Sequence, residues 1–122
     1  MSAQIMEAAT EEKLRQGVTL KVEGKYEDAE RVVREFLSEE PNHPRARREL
    51  GLILNFTGEF EQSIEELKTA VSLDPSYLEA RTDLALAYSM LGYMDEARAE
   101  LEAVLAVDPE NVTAQRHIVY FQ

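Results

Sequence analysis

Apolar residues recur along this chain at i, i+3, i+4 and i+7, the spacing that gathers them on one face of an α-helix. Leu50 and Leu54, then Leu84 and Tyr88, mark one kind of segment; Leu67 and Val71, then Leu101 and Leu105, mark a second kind that follows it. The breaks between segments are themselves periodic. Gly24, Gly58 and Gly92 stand 34 residues apart, as do Pro41, Pro75 and Pro109, and Gly17 and Gly51 form a further pair on the same step. Glycine takes the left-handed backbone that follows a helix end without steric cost, and proline cannot continue the hydrogen-bond ladder. Each block is therefore predicted as helix, turn, helix. Three blocks occupy 10–43, 44–77 and 78–111. Residues 1–9 lengthen the first helix, with Ser2 as its N-cap, and 112–122 form a terminal capping helix or a truncated fourth repeat.

One helical hairpin cannot bury its apolar face alone, so neighbouring hairpins must seal it. Small residues at facing positions, Gly51 or Ala85 on the first helix and Ser63 or Ala97 on the second, let the paired axes approach to ~8–10 Å. The blocks align residue by residue: Gly24-Lys-Tyr26-Glu-Asp-Ala29 with Gly58-Glu-Phe60-Glu-Gln-Ser63 and Gly92-Tyr-Met94-Asp-Glu-Ala97, with a proline 17 residues after each leading glycine. These motifs resemble the tetratricopeptide repeat family, whose pattern is an aromatic, then x2-L-G-x2-Y, A-x3-F and P. The second block reads Leu50-Gly51-x2-Leu54, Ser63-x3-Leu67, Pro75, and the third Leu84-Ala85-x2-Tyr88, Ala97-x3-Leu101, Pro109. The first reads Gln16-Gly17-x2-Leu20, Ala29-x3-Val33, Pro41. Lys13, Arg47 and Arg81 stand where the family carries its leading Trp, with long stems to cover the same site, and Phe36 stands where a small residue is usual. Over roughly residues 10–111, the resemblance implies an all-α fold, a right-handed α-solenoid of helix-turn-helix repeats whose first helices line a concave surface. It does not name a ligand, because function is grafted onto such scaffolds.

Composition narrows the function. Lys plus Arg number 13 against 24 Asp plus Glu, a net charge of −11. There is no cationic surplus to release counterions from nucleic acid or to hold anionic lipid, so neither nucleic acid nor membrane is an expected partner. The imbalance sits in the C-terminal half: residues 1–60 carry 9 basic and 12 acidic side chains, residues 61–122 carry 4 and 12. Cysteine is absent, which excludes disulfides, thiolate metal sites and a cysteine nucleophile. The first residues have neither the basic stretch nor the long apolar run of a secretion signal, and no apolar run nears the ~20 residues needed to span a bilayer, so a cytoplasmic protein is expected. His43 reads as a solvated turn residue and His117 as a surface helix residue; neither has a metal-ligand partner at suitable spacing. No metal, no cofactor and no catalytic residue is expected, and the chain reads as a non-enzyme.

Binding has the better case. At 100° per residue, Leu50, Gly51 and Leu54 face their partner helix, while Leu52 points the opposite way. Leu86 and Val18 repeat this in the neighbouring blocks. The row Val18, Leu52, Leu86 then forms an apolar floor along the concave groove. Around it are placed Leu14, Arg45, Arg48, Glu49, Asn55, Phe56, Glu79, Asp83 and Met90, walls that are basic near Arg45 and Arg48 and acidic near Glu49, Glu79 and Asp83. Three first helices at that spacing give a groove of roughly 25–30 Å, room for about eight residues of extended peptide or for one amphipathic helix.

The chaperone-adaptor version of the family grips an acidic C-terminus with Lys, Asn and Arg side chains. The matching positions here are Leu14, Val18, Glu49, Glu79 and Asp83, none cationic and three anionic, so that peptide is disfavoured. The expectation is a scaffold or adaptor that docks a short peptide or amphipathic helix, with net charge favouring basic partners. Two alternatives stand beside it: a homodimer formed through the apolar C-terminal stretch Ile118, Val119, Tyr120 and Phe121, or a recruitment fragment of a larger enzyme.

Overall fold

A computed structural model describes residues 3–121, which leaves Ser2 and its expected capping role outside the described residues. Among the described residues seven helices follow one another: α1 (Ala3–Val22), α2 (Tyr26–Glu39), α3 (Pro44–Phe56), α4 (Phe60–Leu73), α5 (Leu78–Met90), α6 (Met94–Val107) and α7 (Val112–Ile118), closed by a 3₁₀ turn over Val119–Phe121. Among the described residues there is no strand, and no helix is long and apolar enough to cross a membrane. The architecture is an all-α solenoid in which each odd-numbered helix up to α5 pairs antiparallel with the next.

The turns inside the pairs are copies of one another. Gly24, Gly58 and Gly92 have φ of 78°, 82° and 82°, and the amide after each reaches back five residues: Lys25 N to Leu20 O at 2.9 Å, Glu59 N to Leu54 O at 2.8 Å, Tyr93 N to Tyr88 O at 2.9 Å. This is the closure in which a left-handed residue satisfies the last carbonyls of a helix, and it is why glycine marks all three. At two of the three junctions between pairs a side chain caps the next helix. Pro44 opens α3, where its missing N–H costs nothing, and His43 Nδ1 accepts from Ala46 N at 3.2 Å; Asn111 Oδ1 does the same for Ala114 N at 2.9 Å. His43 is thus a half-buried helix cap rather than a solvated turn residue. Its ring also meets the edge of Phe36, centroids 4.9 Å apart and perpendicular.

Close approach within the pairs rests on small residues. A Cβ built on Gly17 would lie 2.6 Å from Val33 Cγ2, and one on Gly51 2.6 Å from Leu67 Cγ. Ser63 Oγ donates to the Gly51 carbonyl at 2.7 Å, joining α4 to α3 at their nearest point. In the third pair Ala85 and Ala97 take these places, both buried. Phe36 is 1% exposed, so the first pair accommodates its ring in the core. The core is a string of clusters, around Leu14, Phe36 and Leu50, then Ile64, Leu67 and Leu84, then Leu101, Val104 and Ala114. That is how hairpins that seal only their neighbours bury apolar surface.

The positions that lack the family's Trp hold polar clamps. Arg47 Nε donates to Pro41 O at 3.0 Å and its Nη1 meets Glu66 at 2.9 Å; Arg81 repeats this on Pro75 O at 3.1 Å and Glu100 at 3.1 Å. Gln115, the next residue in that register, donates to Pro109 O at 2.6 Å. These groups anchor each inter-pair turn to the helix that follows. Along the stack, α1 touches α3 and α3 touches α5, more than the second helices touch one another. The first-helix layer is therefore the inner, concave one.

Candidate functional site

The inner face is built from one side of α1, α3 and α5. Val18, Leu52 and Leu86 each occupy the same place on their helix; Val18 and Leu52 are half-buried and Leu86 is exposed. Near the C-terminal ends of the same helices Phe56 and Met90 are about 60% exposed (59% and 62%). Phe56 lies flat on Tyr26, ring centroids 5.3 Å apart and planes within 13°. Large apolar side chains left in water on consecutive helices, in one register, are the main chemical feature of this face.

Two expected groove residues are withdrawn from its surface. Leu14 is 1% exposed and belongs to the core with Leu50 and Phe36. It stands four residues before Val18, hence roughly 40° around the helix, and that rotation turns it from the groove toward α2 and α3. Glu49 is 4% exposed and its carboxylate accepts from Lys21 Nζ at 2.6 Å.

The charged walls also differ from expectation. They do not form separate basic and acidic patches, because adjacent first helices are close enough for opposite charges to pair across the groove. Arg48 Nε donates to Asp83 Oδ2 at 2.6 Å, and its guanidinium lies 5.8 Å from the Tyr77 ring centroid. Burial pushes the Asp83 carboxyl above its ordinary value; Arg48 and Lys21 hold it down only in part, and the charge of Glu49 adds to the rise. For Arg48 burial opposes the charged form, but the Asp83 hydrogen bond and charge outweigh it and hold the guanidinium protonated. Arg45 and Glu79 remain exposed, and Asn55 is half-buried with an enclosed Oδ1 that has no hydrogen-bond partner among the described residues. The middle of the face is thus electrically neutralised, and its apolar floor dominates.

Two hollows open along it. Leu14, Val18 and Arg45, with Glu11, Arg15 and Thr19, line a cavity of about 120 Å³ between α1 and α3. A larger one, about 260 Å³, lies where α5, α6 and α7 meet and is lined by Ala85, Leu86, Ser89, Met94, Leu101, His117, Tyr120 and Phe121. Of these only Leu86 was among the expected groove residues. The missed ones were legible from the same step: Tyr120 follows Leu86 by 34 residues and His117 follows Asp83 by 34. His117 is half-buried in the cavity wall and not a free surface residue. Among the described residues no three His, Cys, Asp or Glu side chains gather as metal ligands would.

The tetratricopeptide repeat family matches twice, over residues 14–77 and over residues 57–117. No curated protein sequence matches significantly. Among solved structures, the first TPR of Spaghetti (RPAP3) bound to the HSP90 peptide SRMEEVD superposes with a TM-score of 0.88 at 21% identity, covering 92% of this chain and 89% of that one. The second TPR domain of human RPAP3, in complex with the HSP70 peptide SGPTIEEVD, gives 0.84 at 23%, covering 89% and 91%. MamA from Desulfovibrio magneticus RS-1 gives 0.85 at 23%, covering 92% and 63%. At these identities the likeness is one of fold.

Proposed function

The chain belongs to the tetratricopeptide repeat family, a protein-interaction fold, and from that premise we propose that it is a non-catalytic scaffold or adaptor whose concave face docks a peptide or amphipathic helix of another protein. The observation that carries the reading is the exposed apolar row, Leu86 with Phe56 and Met90, above walls whose charges are spent on each other in the Lys21–Glu49 and Arg48–Asp83 pairs. A ligand entering such a face gains by covering apolar area and loses little by displacing charge.

Two of the similar structures hold peptides ending in Glu-Glu-Val-Asp. For this chain an acidic terminus is disfavoured. At the five positions where the chaperone adaptors grip the carboxylates, Leu14 and Glu49 are buried, Val18 is apolar, and Glu79 and Asp83 are acidic. A basic or amphipathic segment suits the face better.

The test selects a display library of short peptides against the whole chain and compares recovered peptides on the wild type, Leu52→Glu and Leu86→Glu. A carboxylate on the apolar floor weakens capture by at least about tenfold while far-UV circular dichroism stays unchanged; equal capture by all three proteins removes the reading. Self-association through the α7 end is the second reading, favoured by the exposure of Val119 and Tyr120 (57% and 79%). Sedimentation velocity separates the two.

A further inference from the structure

The cavity between α5, α6 and α7 lies where the ion pair that bridges α1 and α3 has no counterpart. Lys21 and Glu49 bridge α1 to α3 with a largely buried ion pair. The same two positions one step on are Asn55 and Asp83, and two steps on are Ser89 and His117. Ser89 is too short to cross, and its hydroxyl turns back to donate to Leu86 O at 2.7 Å. The space left is about 260 Å³, against the ~150 Å³ of a dry apolar cavity that takes a benzene ring.

The contact between the first and second pairs shows what fills such a place. Tyr26, the first residue of α2, is covered by the flat ring of Phe56. Met94 holds the same position at the start of α6 and is 50% exposed at the cavity's edge. Tyr120 extends the row Val18, Leu52, Leu86 by one step and forms the opposite edge. The surroundings are negative. Residues 61–122 carry 12 acidic against 4 basic side chains, and two of those four, Arg81 and Arg98, are held by Glu100 and Glu102. Asp95 and Glu96 follow Met94 directly and are exposed. Nearby, burial pushes the Tyr88 phenol up, helped by the charges of Glu100, Glu96 and Glu65.

We propose that this cavity seats one large apolar side chain, aromatic by preference, of a basic peptide segment from another protein. The ring enters between Leu86 and Tyr120, packs on Met94 as Phe56 packs on Tyr26, and its flanking Lys or Arg residues face Asp95 and Glu96. A second copy of this chain is the poorer occupant, because it brings the same acidic end to an acidic surface. The proposal rests on the groove reading and narrows it to a subsite and a partner chemistry.

The experiment uses the whole chain and the same short-peptide library, with recovered peptides resynthesised carrying fluorescein and measured by polarisation. Recovered sequences are expected to share a large apolar residue with Lys or Arg beside it, and changing that residue to Ala weakens binding at least about tenfold. Ser89→Phe, which fills the cavity, and Tyr120→Ala, which removes an exposed edge without touching the core, weaken it comparably. If Ser89→Phe loses helical content, Tyr120→Ala decides alone. Peptides lost on Leu52→Glu but bound equally by both cavity variants overturn the subsite and leave the groove reading standing. Peptides indifferent to all of these variants, or no recovered peptide, overturn both. Acidic consensus peptides overturn the partner chemistry, and a concentration-dependent dimer abolished by Tyr120→Ala gives the seat to a second copy and overturns the proposal.

Discussion

Arg81 reaches from α5 to Glu100 on α6 at 3.1 Å while its Nε holds the carbonyl of Pro75, and Arg47 and Glu66 make the same arrangement around Pro41. Each arginine ties the turn before its own helix to the helix after it, so it acts across three elements. Both are three-quarters or more buried, which keeps these pairs from the full screening of surface ions. Arg81→Met keeps the stem and removes both bonds. It is expected to lower stability by about 1–2 kcal/mol, read as a shifted urea midpoint at constant slope. A double-mutant cycle with Glu100→Gln separates the ion pair from the carbonyl bond: the pair accounts for about 0.5–1 kcal/mol, and the rest stays with Arg81.

Gly51 and Gly58 are both required by the fold, for opposite reasons. At Gly51 the obstacle is Leu67, whose Cγ would stand 2.6 Å from a new Cβ; at Gly58 there is open space but φ is +82°. Gly51→Ala is therefore expected to cost about 1–3 kcal/mol through overpacking, and Gly58→Ala about 1–2 kcal/mol through backbone strain. Trimming the neighbour tells them apart. Adding Leu67→Ala to Gly51→Ala gives a loss clearly smaller than the sum of the two single losses, whereas adding it to Gly58→Ala gives an additive loss.

His43 caps α3 by accepting from Ala46 N through Nδ1. His43→Ala leaves that amide without its acceptor and removes the ring from Phe36, at an expected cost of about 1–2 kcal/mol. His43→Asp restores the acceptor alone and recovers about 1 kcal/mol of it. Thermal melts of the three proteins order them as wild type, Asp, Ala; an Ala variant as stable as the wild type removes the capping role.

What the sequence made legible was whatever depends on backbone chemistry and period. Gly24, Gly58 and Gly92 announced their turns because few other residues tolerate that conformation, and the 34-residue step placed Val18, Leu52 and Leu86 in one register. What stayed hidden depends on distances between helices. The helical wheel put Glu49 and Asp83 on the groove wall, but only the spacing of α1, α3 and α5 decides that Lys21 and Arg48 reach them. Leu14 lies one turn and roughly 40° from Val18, and only the placement of α2 and α3 decides that this rotation carries it into the core. Arg47 and Arg81 read as stems covering a missing Trp, yet their guanidinium ends do the holding. Tyr120 and His117 stand one 34-residue step beyond Leu86 and Asp83, but that they wall a cavity depends on how the last helix and its 3₁₀ turn sit against α5 and α6.

The Arg48–Asp83 pair supplies a pH signature opposite to that of an ordinary salt bridge. A carboxylate held below its normal range contributes stability that is lost on acidification. Asp83 is pushed the other way by burial, so between its unfolded value near 3.8 and its raised folded value the native state binds more protons than the unfolded one. Its contribution to stability is fully present below the unfolded value and is lost as pH rises through the folded one. Carboxyl resonances followed by NMR are expected to show Asp83 titrating above 3.8. Arg48→Gln removes a charge that lowers it and moves the midpoint further up; Glu49→Gln removes one that raises it and moves the midpoint down. A midpoint below the ordinary value, or one that Glu49→Gln leaves in place, means that burial does not govern this carboxyl and that the groove wall is wetter than its packing implies.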